Sequence, residues 1–137
     1  MGRLPNILKF VNSALDGIKS IEKQIVGGTA VLNLEKEIWM VYKDCESAVF
    51  LVKLEISDVE ASDNTNLQID VDRLGYTITL AEDHLNNASQ LIEEGKMKQT
   101  LEQLRYARNI MAEVYSHVNK DNRRAIRNSF KSKEKNV

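Results

Sequence analysis

Cysteine occurs once, proline once and histidine twice among the 137 residues of this chain. A lone Cys45 excludes an intrachain disulfide and gives no sign of an oxidising compartment. His84 and His117 are too few for the di-iron sites of helical bundles, which need Glu-x-x-His on two helices, and no Glu-x-x-His occurs. Glycine, at six residues, is too scarce to break the chain often, which leaves room for long uninterrupted helices. Long apolar runs are missing too. The longest, Ile38 to Tyr42 and Ala48 to Val52, are five residues each, against about 20 for a membrane-spanning helix. Lys9 interrupts the only apolar stretch near the N-terminus, so a secretory leader is not expected. Asn6 stands where a myristoylation signal needs Ser or Thr. A cytoplasmic location is the expectation.

The usual catalytic constellations fail on spacing. Gly27-Gly28 has no downstream lysine and no preceding strand, so it is not a phosphate-binding loop. Glu55-x-x-Asp58 and Glu60-x-x-Asp63 follow one another in one acidic stretch, without the Glu-x-x-Glu that an all-α pyrophosphatase sets across from such a pair to hold magnesium. Glu113 and His117 lie one helical turn apart, which is two ligands at most. Cys45 falls on an apolar seam with no histidine at a useful spacing, and reads as buried packing. No catalytic residue, metal or cofactor is expected from these patterns.

What is present is periodicity. Ile7, Val11, Leu15, Ile18, Ile21 and Ile25 recur at three- and four-residue steps behind Pro5, and Gly27-Gly28 closes the segment. A second segment, Ala30 to Ile56, carries Leu34, Ile38, Val41, Cys45, Val49, Val52 and Ile56 on one seam. A third opens at Thr65, with Gln68 completing a capping box, and places Leu67, Val71, Leu74, Ile78, Ala81, Leu85, Ala88 and Ile92 on one stripe. Within it Tyr76 to Leu80 alternates like a strand, but over five residues only, and Gly75 suggests a close helix crossing. After the turn at Gly95 a fourth segment continues with Leu101, Leu104, Met111, Tyr115 and Val118. The fold expected is all-α: an antiparallel up-down-up-down four-helix bundle over residues 1–119, with a basic, partly disordered C-terminal extension over 120–137. The stretch LIEEGKMKQTLEQLRYA, Leu91 to Ala107, resembles the helical hairpins of tetratricopeptide-like and HEPN-like proteins. The HEPN ribonucleases carry an arginine four to six residues before a histidine. Arg108 is nine residues before His117, so the resemblance implies a hairpin and no activity.

Two surfaces stand out. Between Ile38 and Leu54 the residues Trp39, Met40, Tyr42, Phe50, Leu51 and Leu54 are apolar in addition to the seam. That is more than the stripe one packed face requires. Trp39, Tyr42, Phe50 and Leu54 are therefore candidates for a self-association interface, which points to a homodimer or a helical protein partner. The second surface is electrostatic. The net charge of −1 divides into 8 Lys/Arg against 16 Asp/Glu over residues 1–95, and 11 against 4 over residues 96–137. Arg123, Arg124, Arg127 and Lys131 are candidates for contact with an anion, a nucleic-acid backbone above all. Docking of the basic tail on an acidic face of its own chain or of a sister subunit is the other option. The composition thus favours a non-enzymatic interaction or scaffold protein, with weak sequence-independent nucleic-acid binding as the alternative.

Overall fold

The computed structural model describes residues 3–56 and 69–135. It holds α1 (Leu4–Val26), a 3₁₀ turn (Val31–Leu34), α2 (Glu35–Ile56), α3 (Leu74–Glu93) and α4 (Met97–Lys135). Pro5 sits in the first turn of α1, where its missing N–H is no loss. Gly28, at φ 102°, and Gly95, at φ 75°, close α1 and α3 in the left-handed conformation. Around each the two stop bonds of a Schellman motif form. Thr29 N donates to Gln24 O and Gly28 N to Ile25 O, as Lys96 N does to Leu91 O and Gly95 N to Ile92 O.

The apolar seams face one another. Ile7, Val11 and Ile18 of α1, Ile38, Val41 and Cys45 of α2, Ile78 and Leu85 of α3, and Leu104 and Met111 of α4 are all essentially buried. Tyr76 to Leu80 lies inside α3, because the one-turn spacing of Leu74, Ile78, Ala81 and Leu85 buries a whole face and the strand alternation would not.

The start of α3 differs from the expectation by nine residues. Val71 is in a turn and exposed, off the buried stripe. The Asp70 carboxylate accepts from Asp72 N, and Asp70 O from Arg73 N, so a local turn takes the bonds a helix would need. The capping box at Thr65 and Gln68, Leu67, and the acidic Asp58, Glu60 and Asp63 lie outside the described residues.

The chain is an antiparallel four-helix bundle, and the path through it departs from up-down-up-down in one step. Each of α1–α2, α2–α4, α4–α3 and α3–α1 packs extensively, whereas α2 and α3 barely meet. At one end of the bundle Arg3 reaches Glu55. At the other, Gly75 lies against Ile25, Thr79 bonds Glu22, Trp39 stacks near Tyr115, and Asn119 bonds Glu35. Hence α3 runs parallel to α2 and diagonal to it, and the order is up-down-down-up. Neighbours are antiparallel all round the ring. Short connections make sequential neighbours only where they exist, and the seventeen residues between Ile56 and Leu74 are not a short connection.

The second difference is at the C-terminus. The segment expected to fray beyond Asn119 continues α4 as helix to Lys135. No proline or glycine occurs between Met97 and Lys135 to stop it.

Candidate functional site

The outer face of α2 is built by the surplus that the sequence shows. Trp39, Phe50 and Leu54 recur along one side of the helix and stay exposed, at 40%, 59% and 42%, with Met40 at 57% flanking them. They do not form one patch. Trp39 packs on Tyr42 with ring centroids 5.2 Å apart, and on Tyr115 of α4 at 5.0 Å. Tyr42, half-buried there, donates its hydroxyl to Glu46 Oε2 at 3.0 Å. Desolvation first, and the carboxylate beside it second, push the Tyr42 phenol above its ordinary pKa. Phe50 and Leu54 lie further down the helix. With Phe10 of α1, Ser47 and Leu51, Phe50 lines an open groove of about 430 Å³. Between the two patches Glu46 faces the buried Arg108 of α4, with 3.7 Å from carboxylate oxygen to guanidinium nitrogen. Sequence reading finds Trp39, Tyr42, Phe50 and Leu54 but misses Tyr115 and Phe10, which come from other helices and carry no local signal.

The basic candidates form a stripe. On α4 the positions of Lys120, Arg123, Arg124, Arg127 and Lys131 fall within about 100° of the helix circumference, and all five side chains are exposed. Ile126 and Phe130, one turn apart, border that stripe at 57% and 63% exposure. Among the described residues the last hydrogen bond from α4 to the bundle is made by Asn122, whose side-chain amide donates to Leu32 O at 2.9 Å. From Arg123 to Lys131 every residue is exposed. Residues 123–135 therefore stand beyond the bundle as an arm of about 20 Å.

The acid that balances this arm is concentrated. Residues 54–95 contain ten Asp/Glu and one base, Arg73. Helix α3 has no Lys or Arg at all. Its solvent side shows Tyr76 and Leu80, 52% and 37% exposed, then Asp83. Beside them Glu82 meets Glu22 of α1. Desolvation, then a hydrogen bond with Glu22 and its charge, raise the Glu82 carboxyl above its usual value, opposed by Lys19. Arg73, the one base of this stretch, lies at the start of this face with its guanidinium 4.7 Å over the Tyr76 ring.

The residues considered for catalysis do not converge. His84 Nδ1 is 2.7 Å from Gln103 Oε1, and its ring stacks on Tyr106 at 5.0 Å, beside an apolar groove of about 420 Å³ that includes Leu80 and Ile110. His117 instead pairs with Asp121 at 3.2 Å, about 16 Å further along α4 than Tyr106. Among the described residues no three His, Cys, Asp or Glu gather at a metal-sized point. Cys45 is fully buried, and burial pushes its thiol up to about 12. Among them also, no helix is long and apolar enough to cross a membrane. No family model, curated protein or solved structure matches the chain.

Proposed function

We propose that this protein is a non-enzymatic, cytoplasmic interaction or scaffold module that works as a homodimer through the outer face of α2. The observation that carries this reading is Phe50, more than half exposed over an apolar groove on the same side of the helix as Trp39 and Leu54. Aromatic and large aliphatic side chains left on one side of a rigid helix are what interface centres contain. A two-fold axis through that side sets each Phe50 near the partner's groove, which is the self-complementary arrangement of common dimers. The test is light scattering at about 0.5 M salt, where charge contacts are screened beyond roughly 4 Å. A mass near twice 15.6 kDa is expected, falling to the monomer in Phe50→Glu or Trp39→Glu with the helical circular dichroism unchanged. A monomer for the unsubstituted chain at high micromolar concentration removes the reading.

A second reading is favoured by the basic stripe: sequence-independent contact with nucleic-acid phosphates through Arg123, Arg124, Arg127 and Lys131. Its signature is a gel shift at low salt that falls steeply as salt rises, and that is lost when the four are replaced by glutamine.

A further inference from the structure

An isolated helix of twelve or thirteen residues is marginal in water, yet residues 123–135 extend as helix past the Asn122 hydrogen bond, with Ile126 and Phe130 bare. Such an arm gains stability by laying that side on something. Its own bundle is out of reach. The arm is continuous with α4, points away from the body, and has no glycine or proline at which to fold back. A bare phosphate backbone would use the cations but leave Ile126 and Phe130 in water. The complementary surface, one that is acidic with large apolar side chains among the acids, exists in this chain.

We propose that the α4 arm of one copy packs lengthwise on the solvent side of α3 of a second copy, and the second copy's arm on the first. The charges match: the arm's cations are drawn from the basic stretch after residue 95, and α3 with its described flanks, residues 69–95, holds six acids against Arg73. The apolar parts match as well. Tyr76 and Leu80 lie near the end of α3 from which the arm of α4 departs, and Val26 of α1, 87% exposed, adjoins Tyr76 across a groove of about 330 Å³ whose wall includes Gly75 and Glu22. Two bundles set end to end about a two-fold axis bring each arm alongside the other's α3, over about three to four helical turns. The crowded Glu22–Glu82 pair then meets guanidinium groups from Arg123 or Arg127, which supply the positive charge that Lys19 alone opposes to it. This interface is independent of the α2 face and has the opposite salt response: at about 0.01 M salt the charges act over roughly 30 Å, and at about 0.5 M they are screened.

The experiment uses the full chain carrying Phe50→Glu, so that the α2 face contributes nothing, at low salt. Three proteins are weighed by sedimentation velocity: this parent, the parent with Arg123→Glu and Arg127→Glu, and the parent with Glu82→Lys and Asp83→Lys. The parent is expected to dimerise, and each reversed protein to lose at least tenfold in association. Mixing the two reversed proteins in equal amounts is expected to restore the dimer, because each then offers the charge the other lacks. Circular dichroism establishes that each is folded. The milder pair Arg123→Gln and Arg127→Gln, on exposed side chains, repeats the arm half with a smaller loss. A parent that stays monomeric at low salt overturns the proposal, as does a mixture that stays monomeric. An oligonucleotide gel shift abolished by the arm reversal while the mass is unaffected assigns the arm to phosphate and also overturns it. The α2 reading is judged separately, at high salt and on the unsubstituted chain.

Discussion

At the scale of single residues, Gly17 is the most tightly packed of the described glycines. A β-carbon added there meets Val41 Cγ2 at 2.7 Å, and Val41 is both buried and stiff at χ1. Overpacking of this kind costs about 1–3 kcal/mol, against a helix-propensity gain of about 1 kcal/mol for alanine. Gly17→Ala is therefore expected to lose about 1 kcal/mol in urea melts. Gly75, which the sequence marks as the close crossing, would put its β-carbon at an ordinary 3.8 Å from Ile25. Gly75→Ala is expected to leave stability unchanged or raise it by about 0.5 kcal/mol. A seam pattern shows that a helix packs, but not at which of its glycines the neighbour comes nearest. Cys45 was legible, because an apolar seam passes through it. The Glu22–Glu82 pair was not, because it joins helices 60 positions apart. Its sign in stability follows from the raised Glu82 carboxyl. The folded state binds that proton more tightly than the unfolded chain, so the stabilisation is full below the ordinary glutamate value and is lost as pH rises through the raised one. Glu82→Gln should then make the monomer more stable at pH 7 than the unsubstituted chain, with the difference vanishing as pH falls below about 4. Urea midpoints at the two pH values check it.

At the scale of elements, what could be read and what could not divide by whether the signal is local. The three- and four-residue recurrence of apolar side chains delimits α1 and the end of α2 closely, while the expected start of the second segment at Ala30 is a 3₁₀ turn, Val31–Leu34, before α2 begins at Glu35. Gly28 and Gly95 mark the ends of α1 and α3, since only glycine enters the left-handed stop without strain. The start of α3 was misplaced because Leu67 and Val71 happen to fall in phase with Leu74 and Ile78. Phase alone does not form a helix, and the Asp70 side chain offers the backbone a competing turn. The end of α4 was misplaced for the opposite reason. Beyond Asn119 the apolar recurrence thins to Ile126 and Phe130, which reads as loss of helix, whereas arginine, lysine and alanine have favourable helix propensity and prolong a helix that α4 has already nucleated. The candidate surfaces were legible as residue types on one side of α2 and α4, and their division into separate patches was not. That division depends on Tyr115 covering Trp39 while Phe10 lies beside Phe50.

At the scale of the whole molecule, periodicity says that four rods pack and is silent on which rod neighbours which. The up-down-down-up path turns on one connection. Helix α2 ends beside the start of α1, where Arg3 meets Glu55, and α3 begins beside the end of α1, where Gly75 meets Ile25. Those points are separated by most of the length of α1, about 30 Å at 1.5 Å per residue. A chain covers at most about 3.3–3.6 Å per residue, so roughly nine or ten residues are the least that can join them. Removing residues 57–68 leaves five, Ile69 to Arg73, which reach about 17 Å. In an up-down-up-down bundle the same deletion would leave an ordinary helix–helix turn and a stable monomer. Here it is expected to abolish the folded monomer. At low concentration the shortened chain should unfold at lower urea, and at high concentration it should pair by giving its α3–α4 hairpin to a second copy, because the α1–α3 and α2–α4 contacts can still form between chains. Light scattering across concentration at about 0.5 M salt, with Phe50→Glu present, isolates this exchange from both proposed interfaces. A compact, fully stable monomer from the shortened chain would mean that α3 can stand next to α2, and that the diagonal placement does not hold.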